Sequence, residues 1–223
     1  MPDGQYSFYL HSDDRTDIAA MATISTISQP LRGEFIRTAA TAGAVVYQVD
    51  ARLPALIPVF FAGHLSAVRL CAVMALVSGT WSSFTGLPEE PENGEAALPV
   101  SPETEYQRRR YTLTLQNGRS GERVESVLTE ASSRLRGDLL RNLIITGLAL
   151  HTTAPELPRL LASMPVPPTS VSELQALVQQ MAGTADVNRA AAAVPDTPAA
   201  SAAPVSGSDT REIKKNMRRA FGD

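Results

Sequence analysis

Two stretches of the chain alternate apolar and polar residues with a period of two, and helical spacing follows each of them. In the first, Tyr6, Phe8 and Leu10 share one side and Ser7, Tyr9 and His11 the other. In the second, Tyr111, Leu113 and Leu115 oppose Thr112, Thr114 and Gln116, with Arg110 extending the polar side. A first helix is predicted from Ile18, Met21, Ile24 and Ile27, and again from Val124, Val127, Leu128 and Ala131. After breaks at Ser28-Gln29-Pro30 and at Ser132-Ser133, a second helix carries Phe35, Ile36, Ala39, Gly43 and Val46, or Leu139, Leu140, Leu143, Gly147 and Leu150. Two shorter helices complete each run, roughly 54–61 and 65–77, then 158–164 and 170–181.

The parallel between the runs is one of sequence as well as pattern. LRGEFIRTAATAGAVV, beginning at Leu31, aligns with LRGDLLRNLIITGLAL, beginning at Leu135, and the same spacing carries Leu53-Pro54 onto Leu157-Pro158 and Gly79 onto Gly183. The strands match one residue out of that register, Tyr6 falling on Tyr111. Self-similarity at fixed spacing points to an internal duplication.

A lone strand of about six residues is not stable in water, since even an isolated hairpin is marginal. Strand, helix, helix with no second strand in the unit is the ribbon-helix-helix pattern, in which two copies pair strands and interlock helices. The expected fold is therefore mainly α, with duplicated ribbon-helix-helix units, each carrying extra helices, pairing as a pseudo-dimer within the chain or between chains. Gly43 and Gly147 support this, because glycine inside a helix costs about 1 kcal/mol relative to alanine and their shared register suggests close passage of another backbone.

Composition divides the rest. The units are expected at 1–83 and 108–185. Between them, 84–107 is acidic and proline-rich, a solvated linker. From 186 to 208 Ala, Pro and Ser dominate, predicting a disordered tether, and 209–223 ends the chain with Ile213, Met217 and Phe221 at helical spacing among Lys214, Lys215, Arg218 and Arg219. The formal charge of −3 excludes a uniformly basic coat, but it is unevenly shared: residues 1–80 hold five basic and six acidic side chains, residues 105–185 nine and seven. One cysteine, Cys71, excludes an internal disulfide. The N-terminus lacks an export-signal pattern and the longest apolar stretch is too short to span a bilayer, so a soluble cytoplasmic protein with no membrane partner is expected.

A two-stranded ribbon fits the DNA major groove, where base edges present distinguishable donors and acceptors. Ser7, Tyr9, His11, Arg110, Thr112, Thr114 and Gln116 are the candidate reading residues. Arg32 and Arg136 give a separate cue. Each sits in the first turn of the second helix, where the helix dipole disfavours a cation unless a phosphate is placed there to accept both the guanidinium and the free amides. The competing explanation is a nearby carboxylate; Glu34 with Arg37, and Asp138 with Arg141, are expected as i, i+3 helix pairs. Because the two polar faces differ, a fused pair need not read a palindrome.

The stretch ISQPLRGEFIRTAATAGAVVYQVDARLPALIPVFF, Ile27 to Phe61, with the strand before it and the tail EIKKNMRRAFGD, resembles plasmid-partition adaptors of the ParR type. The resemblance implies binding to tandem double-stranded DNA repeats through Ser7, Tyr9, His11 and Arg32, self-association into an array on that DNA, and capture of an actin-like ATPase filament of the ParM type. The tail residues Ile213, Lys214, Lys215, Met217, Arg218 and Phe221 would make the last contact. The usual adaptor has one such unit where this chain has two. A competing expectation is a ribbon-helix-helix repressor or antitoxin whose tail blocks a toxin. Catalysis is not expected: there is no phosphate-binding glycine loop with lysine, and His11, His64 and His151 are not at metal-ligand spacing, so no cofactor or metal is called for. Cys71 is expected in the core and His151 in packing or at the surface.

Overall fold

A computed structural model describes residues 4–80 and 108–192, the side chains of 184–192 excepted. The architecture below belongs to the compact unit that ends at Val187, apart from the last residues of the final helix. Strand β1 (Gln5–His11) leads into α1 (Arg15–Ser25), a 3-10 turn (Gln29–Leu31), α2 (Arg32–Val49), α3 (Leu53–Phe60) and α4 (Ala67–Ser78). The same order then recurs: β2 (Arg108–Thr114), α5 (Arg119–Glu130), α6 (Arg136–Thr153), α7 (Leu157–Ser163) and α8 (Val171–Ala192).

Neither strand has a neighbour in its own run, and the two pair with each other. The ladder is antiparallel, from Gln5 opposite Thr114 to His11 opposite Arg108. Opposed residues share a face of the sheet, so this register gathers Phe8, Leu10 and Leu113, all buried, on the inner side. Phe8 stacks on Tyr111 across the strands, ring centroids 5.2 Å apart and 16° from parallel. A slip of one residue would turn Phe8 and Leu10 to solvent, which fixes the register.

Beneath the ribbon α2 and α6 cross. Both are buried on every side along their middle turns, 39–46 and 143–150, as a helix at the centre of a core must be. Gly43 faces the main chain of Leu143, and Gly147 faces that of Ala39; a Cβ at either would overlap the opposing carbonyl. The helical cost of two glycines is thereby offset by backbone contact that any side chain would prevent. Around this crossing the shorter helices exchange partners, α3 packing on α6 and α7 on α2. The Thr153 hydroxyl, at the end of α6, donates to the Leu65 carbonyl at 2.6 Å.

Local chemistry sets the helix ends. Asp14 caps α1 by accepting the Asp17 amide at 3.0 Å, and Ser66 caps α4 through the Arg69 amide at 3.3 Å. Leu53-Pro54 and Leu157-Pro158 open α3 and α7 with proline in the first turn, where its missing N–H has no role. Gly79 closes α4 with φ of 74°, a left-handed conformation that costs glycine least. Helix α8 departs from expectation by running on to Ala192, past the boundary placed at 185. The added segment holds no glycine, and no proline comes before Pro195, so nothing in it breaks the helix that the apolar pattern of 170–181 begins.

Candidate nucleic-acid interface

The outward face of the ribbon is built by the same register that buries Phe8. Four opposed pairs line it: Gln5 with Thr114, Ser7 with Thr112, Tyr9 with Arg110 and His11 with Arg108. Arg108, Arg110, Thr112 and Thr114 are exposed, and Ser7, Tyr9 and His11 half-buried. The arginines are held across the strands. Arg110 donates from Nε and a terminal nitrogen to the Ser7 hydroxyl at 3.2 and 2.9 Å, while the Arg108 guanidinium lies 3.5 Å from the centre of the Tyr9 ring. On the inner side Arg109 covers Tyr111 at 5.2 Å. Of the sequence-predicted strand residues, six come together on this face. Gln116 does not join them, since it lies exposed beyond the end of β2 with its carbonyl against Gly121.

The two crossing helices, α2 and α6, bring their N-termini to the flanks of the ribbon. Gly137, in the first turn of α6, lies beside the Ser7 carbonyl, where a Cβ would come within 3.6 Å. Burial pushes the Tyr6 phenol up, with Glu125 adding to the rise and the nearby Arg136 opposing it. Tyr111 is raised in the same way, against the pull of Arg109 and Arg32. Arg32 and Arg136 thus stand at matching places beside the two strands.

Their guanidinium groups are engaged by main chain. Arg32 donates from Nε to the Ile27 carbonyl at 2.8 Å and from a terminal nitrogen to that of Ser25 at 3.3 Å, and Arg136 donates from Nε to the Ala131 carbonyl at 3.2 Å. Each reaches back over the end of the preceding helix, α1 or α5, whose unsatisfied carbonyls favour a cation. Each arginine is therefore engaged by main-chain carbonyls and not by the nearby carboxylate that the sequence offered as its alternative partner.

Beneath one end of the ribbon the predicted pairing of Asp138 with Arg141 is corrected. Arg141 turns instead to the other half of the chain, donating from Nε to Asp17 at 2.6 Å and reaching Asp14 at 3.3 Å. Asp17 is fully buried and also accepts the His11 amide at 2.9 Å, so it ties the last residue of β1 to α1 and α6. Burial pushes its carboxyl above the ordinary range, against the pull of His11 and Arg141. The alignment places Gly121 opposite Asp17, and Arg37 opposite Arg141. With no carboxylate available at Gly121, Arg37 pairs with Glu34 at 2.6 Å, as its i, i+3 spacing predicts.

Sequence reasoning missed Gln5 and Arg108 on the ribbon face. Gln5 extends the alternation of β1 by one residue, and Arg108 that of β2 by two. The long-range role of Asp17 within the chain had no local signal. Away from the ribbon, His151 meets Phe35 edge-on with ring centroids 5.0 Å apart and shares a hydrogen bond with the Pro155 carbonyl. Cys71 is buried in α4 and its thiol is pushed up to about 11 by desolvation. Among the described residues no three His, Cys, Asp or Glu side chains are grouped as metal ligands, and no helix is long and apolar enough to cross a membrane. Both expected linkers (but for the end of α8) and the tail residues Ile213, Lys214, Lys215, Met217, Arg218 and Phe221 lie outside the described residues.

The comparison with known proteins follows the same division. No curated protein and no solved structure matches the chain. A family model described as plasmid stability protein matches it twice, over residues 4–74, from the edge of β1 into α4, and over 109–178, from β2 into α8. The two matches together cover more than half of the sequence, and the chain belongs to the plasmid stability protein family.

Proposed function

We propose that this chain is a plasmid-partition adaptor of the ParR type, built from two ribbon-helix-helix halves that arose by duplication and pair as a pseudo-dimer. The carrying observation is the in-chain ribbon, whose outer face gathers Ser7, Tyr9, His11, Arg110, Thr112 and Thr114 between the N-termini of α2 and α6. Laid in a major groove, that face presents two guanidinium groups, hydroxyls and an imidazole to base edges. The helix N-termini face the flanking phosphates with the positive ends of their dipoles, and Arg32 and Arg136 add charge beside them. Binding to tandem centromere-like repeats places many copies side by side. The C-terminal segment, with Ile213, Lys214, Lys215, Met217, Arg218 and Phe221, then docks on an actin-like ParM-type filament. One short helix binds weakly, and clustering on one DNA raises its effective concentration. An array over its own promoter would also repress the operon.

The test is titration of the full chain against duplexes carrying the repeats of its plasmid, at several salt concentrations, with a scrambled duplex as control. Specific binding that weakens with salt is expected. Equal affinity for the scrambled duplex would overturn the reading. Deleting residues 209–223 should leave DNA binding intact and cause plasmid loss; toxicity on deletion would favour an antitoxin whose tail blocks a toxin.

A further inference from the structure

The ribbon differs at its two ends in a way that bears on the DNA it can read. Phe8 and Leu113, and Leu10 and Leu115, are buried and lie at matching places along β1 and along β2 with the residue just after it, so the corresponding outward residues are Gln5 and Arg110, Ser7 and Thr112, Tyr9 and Thr114. The register pairs Ser7 with Thr112, which puts the centre of the internal symmetry on that pair. One end then carries Gln5 and Thr114, both neutral. The other carries Tyr9 and Arg110, followed by His11 and Arg108, with both guanidinium groups held on the outward face by Ser7 and Tyr9.

The difference continues below the surface. Under the cationic end, Asp17 anchors the His11 amide and Arg141, and Arg141 neutralises Asp14 beside it. Under the neutral end, the corresponding position is Gly121, packed against the Gln116 carbonyl. A ribbon made from two identical strands would present the same side chains to both half-sites. This one presents none in common.

We infer that the protein reads a non-palindromic DNA site in one orientation, with guanines under the Arg110 and Arg108 end and an A·T-rich step under the Gln5 and Thr114 end. The inference rests on the DNA-binding reading above. Its chemistry is direct: a guanidinium donates in bidentate fashion to guanine O6 and N7, glutamine matches adenine N6 and N7, and the threonine methyl meets the thymine methyl. Because the centre of the ribbon is fixed in the groove, the two base preferences come with a fixed order along the DNA. Each bound molecule therefore points the same way on direct repeats.

Selection of bound duplexes from a randomised pool by the full chain, followed by affinity measurement on the recovered site and its half-site permutations, tests this. The recovered site should be asymmetric, guanine-bearing at one end only. Arg110→Gln, which gives the cationic end the residue that Gln5 supplies at the other, should abolish the guanine preference at one position and reduce affinity for the parent site about 5- to 150-fold. Gln5→Arg should create a guanine preference at the opposite end. Orientation is read by cleavage from a metal chelate on Asn117→Cys, beyond the neutral end of the ribbon, which should cut on one side of the site. A palindromic site, or equal cutting on both sides, with specific binding retained would overturn the inference and leave the DNA-binding reading standing. Loss of any sequence preference in the selection would overturn both.

Discussion

Replacing Gly43 by alanine should reverse the usual effect of that change. In an isolated helix the substitution stabilises by about 1 kcal/mol, because alanine has the higher helix propensity. Here the added methyl would come closer than 3.0 Å to the Leu143 carbonyl oxygen, carbonyl carbon and Cα. All three belong to a main chain that cannot rotate aside, so α2 and α6 must separate by ~1 Å to restore van der Waals contact. Overpacking costs about 1–3 kcal/mol, and a clash with backbone places this case at the upper end. After the propensity gain, the net loss should be about 2 kcal/mol, seen as a fall in Tm of about 4–8 °C for a chain of this size. Gly147→Ala, against Ala39, should behave alike. One displacement relieves both clashes, so the double variant should lose less than the sum of the two. Gly183→Ala is the control, since nothing lies within 4 Å of its added carbon, and it should gain stability. Denaturant unfolding of the four variants measures all of this. A Gly43→Ala variant more stable than its parent would refute the close crossing.

Arg136→Ala should destabilise the fold by about 1 kcal/mol in thermal unfolding, because it removes the donor to Ala131 at the end of α5. If Arg136 also contacts phosphate, the salt dependence of DNA binding should fall by about one unit of slope; an unchanged slope with lowered stability would leave it a helix-capping role alone. Asp17 has a raised carboxyl in the folded chain, so its favourable contribution is full below the ordinary carboxylate range and declines as pH rises through the raised value. Asp17→Asn cannot titrate, and the stability difference should therefore shift toward the variant as pH rises across that window; a difference constant with pH would contradict it. Cys71, buried and with its thiol pushed up to about 11, should resist thiol reagents at pH 8 in the native chain and react fully in denaturant, as mass spectrometry would record.

The parts of the fold legible in the sequence are those with a short period. The alternation from Tyr6 to Leu10 places a strand with an apolar side, and the spacing of Ile36, Ala39, Gly43 and Val46 places the central face of α2. Gly43 and Gly147 in matching positions announce a close crossing because no local reason for two mid-helix glycines competes with it. Partner choice among charges was less legible. Asp138 is the nearest carboxylate to Arg141 along its own helix, yet folding brings Asp14 and Asp17 to it from more than a hundred residues away, and a buried carboxylate needs a cation more than an exposed one does. Arg32 and Arg136 illustrate another limit: the carbonyls they satisfy belong to main chain, which leaves no mark in side-chain identity. Helix α8 outruns its apolar pattern, and no glycine or proline falls between Gly183 and Pro195 to stop it sooner.

Joining β1 and β2 in one polypeptide changes the kind of event that assembles the ribbon. Two separate chains must collide, and below their dissociation constant the ribbon falls apart. A tethered pair needs only loop closure, whose entropic penalty rises by about 0.6 kcal/mol for each doubling of the connecting segment and is indifferent to concentration. However few molecules are present, the ribbon would be whole on every one of them. Melting temperature should be the same at any protein dilution, and each half is free to acquire substitutions that its counterpart never shares.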